Sequence, residues 1–299
     1  MDVLQLIVSG LANGCVYGLI AMGFVLIYKA TEAVNFAQGD FMMLGAFICL
    51  GLTNAEFMGL PFWVAVPLAI VIMGAFGYAL DLVVLRQMSG QSQIAVIILT
   101  IALGFVLRFA AGLIWGHEPV SLQSPIAGRD VRFGGLVLGL DEIAVIAVTV
   151  LMTFVLWLYF NRTKLGVAMQ ASSQNQLAAY YMGIPVKRVQ SLVWALAGMV
   201  AAVAGILFAS KGAIDPSVGL LGIKAFAAAV IGGIGSLPGA VVGGVLLGFL
   251  ENFLTALFPR TEYFGGITEY KDTFAFLAMI LILLIRPSGI VGEDLSEKV

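Results

Sequence analysis

Asn161-Arg-Thr-Lys-Leu-Gly-Val-Ala-Met-Gln-Ala-Ser-Ser-Gln-Asn-Gln-Leu-Ala-Ala-Tyr-Tyr-Met-Gly-Ile-Pro-Val-Lys-Arg188 stands between two long apolar runs and is the longest stretch of the chain that hydrocarbon could not hold. Ala, Met, Gln and Leu favour a helix, and Gly183 with Pro185 just beyond is the usual stop arrangement. The pattern predicts one helix over about 163–185. At 100° per residue, Met169, Leu177, Tyr180, Tyr181 and Ile184 fall within about 120° of one another and form an apolar face, with Gln170, Ser172, Gln174 and Asn175 largely off it. Arg162, Lys164, Lys187 and Arg188 bracket the segment, and the excess of Lys and Arg in inner loops places it in the cytoplasm. A helix resting on lipid would be rich in Lys and Arg, whereas this one is uncharged in its middle. Its apolar face is therefore expected to dock on a protein.

A cytoplasmic segment of this kind joins membrane spans, and the composition requires them. The chain is 61% hydrophobic and only 11% charged, with a mean hydropathy of +1.05, more apolar surface than a soluble core can hide. The net charge of -2 includes no basic tract, so no nucleic-acid partner is expected. Met1-Asp-Val-Leu-Gln-Leu has an acid where a signal peptide would carry Lys or Arg, so the first apolar run reads as a retained span. Cys15 and Cys49 lie inside apolar runs and read as small core residues, and His117 has no Cys or His near it in sequence. Neither a disulfide nor a metal site is expected.

Runs able to cross about 30 Å of hydrocarbon occur at about 3–28, 62–82, 94–114, 142–160, 188–210 and 239–257. Three shorter runs, about 36–52, 221–234 and 274–286, have the look of broken or re-entrant helices. The fold class is all-α and polytopic, with about eight to ten transmembrane segments in a single domain spanning 1–299. Broken elements in both halves point to an inverted repeat. Alternation from a cytoplasmic 161–187 places Lys29, Arg86, Arg286 and Lys298 inside. Arg129, Arg132, Lys211, Arg260 and Lys271 then fall outside, among Asp130, Asp141, Asp215, Glu262, Glu269 and Asp272. Loop 115–141 is external, and its Gly-rich 133–140 could form a small hairpin.

Small residues recur every fourth position at Gly10/Gly14/Gly18, Ala197/Ala201/Gly205/Ala209, Gly235/Gly239/Gly243 and Gly244/Gly248, which makes flat faces for close helix packing. Gly222–Gly244 resembles a phosphate loop only superficially, since no GKS or GKT follows; a short helix, a tight turn and a second helix fit it better. The residues that stand out chemically are polar ones inside apolar runs: Asn13, Asn35, Gln38, Asp40, Arg108 and Glu251. Asp40 belongs in the first turn of a short helix, either as a charge against the helix dipole or as part of a substrate path or gate. Arg108 lies on the outer side of the middle of its span and needs a partner, with Asp81, Glu251 and Asp40 as the candidates.

The motifs Asn13-Gly14, Tyr17-Gly-Leu, Asn35-Phe-Ala-Gln-Gly-Asp40-Phe, Ala179-Tyr-Tyr-Met-Gly183-Ile and Gly232-Gly-Ile-Gly-Ser-Leu-Pro-Gly239, taken together, resemble the branched-chain amino acid permease family of ABC importers. The likeness is to the smaller permease subunit and runs over essentially the whole chain. It implies a bacterial inner-membrane protein with no enzymatic activity or cofactor of its own. It also implies a second homologous permease, two cytoplasmic ATPases that bind ATP and Mg, and a periplasmic amino-acid-binding protein. In such an importer the 163–185 helix couples to an ATPase cleft, through Met169, Leu177, Tyr180, Tyr181, Gly183 and Ile184. Asn13, Asn35, Gln38, Asp40, Arg108 and Glu251 would belong to the translocation path or gate.

Related permeases carry urea, short amides or other amino acids, so the motifs leave the cargo open. An ion-coupled secondary transporter would put ionisable groups at the midplane, for which Arg108 and Glu251 offer thin support. A membrane-embedded enzyme would need a nucleophile with a base, or a metal cluster, and the chain has one His, two separated Cys and no HExxH.

Overall fold

A computed structural model describes residues 3–55, 57–88, 91–133, 136–257 and 271–292. Arg260, Glu262, Glu269 and Lys298, assigned to a side above, lie outside the described residues. The apolar runs are helices: α1 (Val3–Thr31), α2 (Gln38–Thr53), α3 (Phe62–Val83), α4 (Gln93–Trp115), α5 (Leu140–Arg162), α6 (Lys164–Gln174), α7 (Gln176–Tyr181), α8 (Val186–Lys211), α9 (Leu221–Gly232), α10 (Leu237–Leu257) and α11 (Lys271–Ile285). Of these, α1, α3, α4, α5, α8 and α10 are long and apolar enough to cross a membrane, while α2, α9 and α11 are shorter. The chain is thus an all-α, multi-pass membrane protein, as its composition requires. The little sheet present lies in the segments expected outside. There β1 (Val120–Ser121) pairs antiparallel with β4 (Ala213–Ile214), and β2 (Asp130–Phe133) forms the expected hairpin with β3 (Leu136–Gly139).

Small residues decide the packing. Helix α1 lies at the centre, against α10, α8, α9 and α5. A Cβ on Gly14 would sit 2.6 Å from Val245 Cα, and one on Gly18 would sit 3.0 Å from Val241 Cα, so the α1–α10 seam has no room for side chains. Helix α8 does the same on the other flank, with Gly205 against the Met42 carbonyl of α2 and Gly198 against the Met73 carbonyl of α3. One stripe is shorter than expected, since Gly235 lies in the turn before α10 with open space beside it. Helices α3, α4 and α5 present Trp63, Phe105, Phe109 and Phe154 on their outer faces, where lipid or another membrane subunit meets them.

The two interrupted elements meet end to end. After α1, Glu32 takes a left-handed conformation at φ 55°, a cost of about 1–2 kcal/mol for a side-chain-bearing residue. This turn sends residues 33–37 back into the bundle. Side chains of the bundle and the turn take up part of their backbone, with Phe36 N–H donating to Thr100 Oγ1 at 3.2 Å and Ala37 N–H to Asn35 Oδ1 at 3.1 Å, the kind of internal partner that lets broken backbone persist at membrane depth. Helix α2 then starts against the 3₁₀ turn Pro216–Leu220 and the start of α9. A Cβ on Gly39 would lie 2.6 Å from Gly222 N. From that junction α2 runs to a contact between Gly51 and Trp115, the last residue of α4, whereas α9 runs to Gly233, packed on Gly292. The two half-helices diverge from a shared start, the geometry that paired broken helices adopt in transporters.

The predicted single cytoplasmic helix is a correction. Asn175 is extended (φ -157°, ψ 102°) and splits it into α6 and α7. Its side chain caps the second piece, Oδ1 accepting from Ala178 N–H at 2.9 Å. Asparagine prefers N-caps to helix interiors because its amide competes for backbone hydrogen bonds. Gly183 ends α7 as expected, at φ 82°. The closing bonds, Gly183 N–H to Tyr180 O and Ile184 N–H to Ala179 O, both at 3.0 Å, make a Schellman motif.

Candidate functional site

The polar residues singled out from sequence do not gather at one place. Four of them build the half-helix junction. Arg108 Nε donates to Asp40 Oδ1 at 2.5 Å and Nη2 to Oδ2 at 3.2 Å, and the guanidinium also stands 5.3 Å from the Phe105 ring centre. Of the three candidate partners the structure chooses Asp40. Asp81 instead accepts from Ser191 Oγ at 2.6 Å, with Arg86 3.8 Å away. Arg108 lies about 22 Å along α4 from Gln93, at about 1.5 Å per residue, so the pair is deep within the span. Asp40 occupies the first turn of α2 without capping it and is itself buried. Both half-helices direct their N-terminal, positive ends toward this carboxylate.

Glycine gives the pair its space. Gly104 of α4 and Gly219 both abut the Asp40 carboxylate, and a Cβ on either would collide with it. Two residues before Asp40, Gln38 lies against Gly23, where Nε2 donates to the Ala197 carbonyl at 3.2 Å and Oε1 accepts from Asn35 Nδ2 at 3.3 Å. Asn35, Gln38 and Asp40 are all buried. The arrangement locks α2 to α4 and α8 through polar bonds between protein groups.

Asn13 and Glu251 belong to a second line of polar groups, on α1 and α10. Lys211, the last residue of α8, donates Nζ–H to Asn13 Oδ1 at 2.7 Å. One turn along α1, Tyr17 donates its hydroxyl to Glu251 Oε2 at 2.9 Å. The other oxygen of Glu251 is 3.2 Å from Lys224 Nζ, close enough for an ion pair but without hydrogen-bond geometry, and Lys224 also holds Asp272 at 2.5 Å. Sequence reasoning missed Lys224. The reasoning that picked out Arg108, a cation inside an apolar run, applied equally to it. A cavity of about 180 Å³ opens beside Asn13, Tyr17 and Lys211. At the opposite end of α1 a larger one, about 490 Å³, lies between Lys29, Trp157, Gln170 and Ser236.

The 161–188 segment, expected in the cytoplasm, separates into a root and a tip. Gly166 folds α6 back on α5, where a Cβ would lie 2.6 Å from Phe160 Cα, and Met169 is only 2% exposed. The expectation that Met169 shares an outward face with the tyrosines is therefore corrected, because the break at Asn175 changes the helix direction and turns Met169 into the bundle. Leu177 (67% exposed), Tyr180 (68%) and Tyr181 (79%) do face outward, and Met182 (83%) joins them, while Ile184 is half-buried. Met182 escaped the helical count because 100° per residue places it well off the apolar face.

Residues 6–283 match the family model described as "Branched-chain amino acid transport system / permease component". The chain is 36% identical to the high-affinity branched-chain amino acid transport system permease protein BraD of Pseudomonas aeruginosa, over 99% of this chain and 98% of that one. It is 33% identical to the corresponding LivH of Escherichia coli K12, over 99% and 97%. Among solved structures, PsaBC from Streptococcus pneumoniae in complex with Fab aligns over 94% of this chain and 91% of that chain, at 17% identity and a TM-score of 0.49.

Proposed function

Because the chain belongs to the branched-chain amino acid transport permease family, we propose that it is the membrane subunit of an ATP-binding-cassette importer that carries leucine, isoleucine and valine inward across the inner membrane. It is a transport component rather than an enzyme. The observation that carries the cargo is the likeness, over nearly the full length, to two relatives named for branched-chain amino acid transport. Its working partners in this reading are a second homologous permease, two cytoplasmic ATPases that bind ATP and Mg, and a periplasmic amino-acid-binding protein. The membrane-spanning bundle supplies the path.

Energy enters through α7. Leu177, Tyr180, Tyr181 and Met182 are an apolar tip that water penalises, at about 1.5–3 kcal/mol per large side chain once buried. A groove on an ATPase removes that cost. Closure of the ATPases on ATP moves the tip, and the root at Gly166 and Met169 passes the displacement to α5 and the inner end of α1. The Asp40–Arg108 junction holds α2 against α4 in one arrangement and gives way in the other. Two packed states separated by a polar latch suit a machine that alternates its opening.

The complex reconstituted in liposomes tests this reading. Leucine uptake should follow lumenal ATP on the ATPase side and cease when ATP is withdrawn with ion gradients maintained. Uptake sustained by a gradient alone would make the chain a secondary transporter. Deletion of the gene should abolish leucine uptake, and loss of urea uptake with leucine uptake intact would reassign the cargo.

A further inference from the structure

We propose that the outer cavity beside Asn13, Tyr17 and Lys211 is a binding site for the zwitterionic head of the transported amino acid, with the Lys211 ammonium taking its carboxylate. The proposal rests on the cargo read above. It begins from an unmatched charge. Lys211 is half-buried, and among the described residues no carboxylate comes within ion-pair distance of it. It spends one of its three N–H donors on a neutral oxygen, Asn13 Oδ1 at 2.7 Å. The acids at the start of α5, Asp141 and Glu142, reach it only through space, and Glu142 already accepts from Ser9 Oγ at 2.8 Å. A half-buried cation with no anion in contact is left under-compensated. Arg108 and Lys224, by contrast, have carboxylates beside them, Asp40 for Arg108 and Glu251 with Asp272 for Lys224.

The rest of the cavity completes the match. At about 180 Å³ it is smaller than the about 300–1,000 Å³ of sites for drug-sized ligands, so its occupant is a small molecule. Val16 and Phe208 provide apolar wall for an aliphatic side chain. For the ammonium of the ligand there are two acceptors on one face of α1, Asn13 Oδ1 and the Tyr17 hydroxyl oxygen. The latter is made more negative because its proton is given to Glu251 at 2.9 Å. Lys211 ends α8 on the side expected to face outward, so the site lies where cargo would arrive from outside.

Gly212 permits a direct test. It lines the cavity, its backbone is extended (φ -168°), and a Cβ there meets nothing within 4 Å, so Gly212→Cys adds a thiol without strain. In the assembled transporter, L-leucine should slow modification of this thiol by an impermeant reagent. Leucinol, which lacks the carboxylate, should fail to do so, and isovalerate, which lacks the ammonium, should protect less well. Lys211→Met should raise the half-protecting leucine concentration about tenfold or more, the worth of one charge-assisted hydrogen bond, while Lys211→Arg should retain protection. Equal protection by leucinol or by isovalerate would overturn the assignment, as would no protection by leucine while ATP-driven leucine uptake persists. If the parent complex takes up no branched-chain amino acid at all, the cargo reading fails instead. Should Lys211→Met not assemble, the three ligands on native Lys211 still decide the question.

Discussion

Removing the guanidinium of Arg108 would strand the Asp40 carboxylate, only 1% exposed at its side chain, beside two half-helix starts and without a counter-charge. Breaking a buried pair by deleting one partner costs about 3–5 kcal/mol, most of it the penalty of the charge left behind. Arg108→Leu should therefore lower the melting temperature in detergent sharply, and adding Asp40→Asn should recover more than half of the loss. A silent Arg108→Leu would mean that the pair is incidental. The sequence made this site legible as a list of residues and not as a constellation. Asp40 in a first turn and Arg108 within a span were both readable, but their 68-residue separation is bridged only by the glycines at 39, 104, 219 and 222, and spacing along the chain does not reveal which glycines face one another.

At the scale of the element, the 161–188 segment shows where periodicity misleads. A count at 100° per residue holds only while the helix is continuous, and Asn175 interrupts it. Leu177, Tyr180 and Tyr181 stayed together because they follow the break, whereas Met169 precedes it and turns inward. The span boundaries fared better, since a long apolar run leaves little freedom about where a helix in lipid begins or ends. Docking concentrated on the exposed tip carries its own test. Tyr180→Ser with Tyr181→Ser should release the ATPases and abolish uptake while the chain still inserts and folds, measured by copurification and by size-exclusion profile. A doubly substituted protein that keeps its ATPases and transports normally would remove α7 from the coupling path.

For the whole molecule, composition predicts a sidedness, because the basic residues near the spans are expected mainly on one side. Single cysteines at Gln176 and Ser217, both exposed, should divide accordingly. In intact cells an impermeant thiol reagent should label position 217 and leave 176 until the cells are permeabilised, with native Cys15 and Cys49 silent because they are buried. The reverse pattern would invert the topology. The bundle also confines its variable parts. The root of the 161–188 segment is bound into the spans by Gly166 and Met169, whereas beyond Asn175 the exposed side chains of the short α7 and its Gly183 turn stand clear of the bundle. Under the coupling proposed above, the tip is an exchangeable cassette: a lineage could change which motor drives the transporter by rewriting half a dozen residues, and leave the pathway through the membrane as it was.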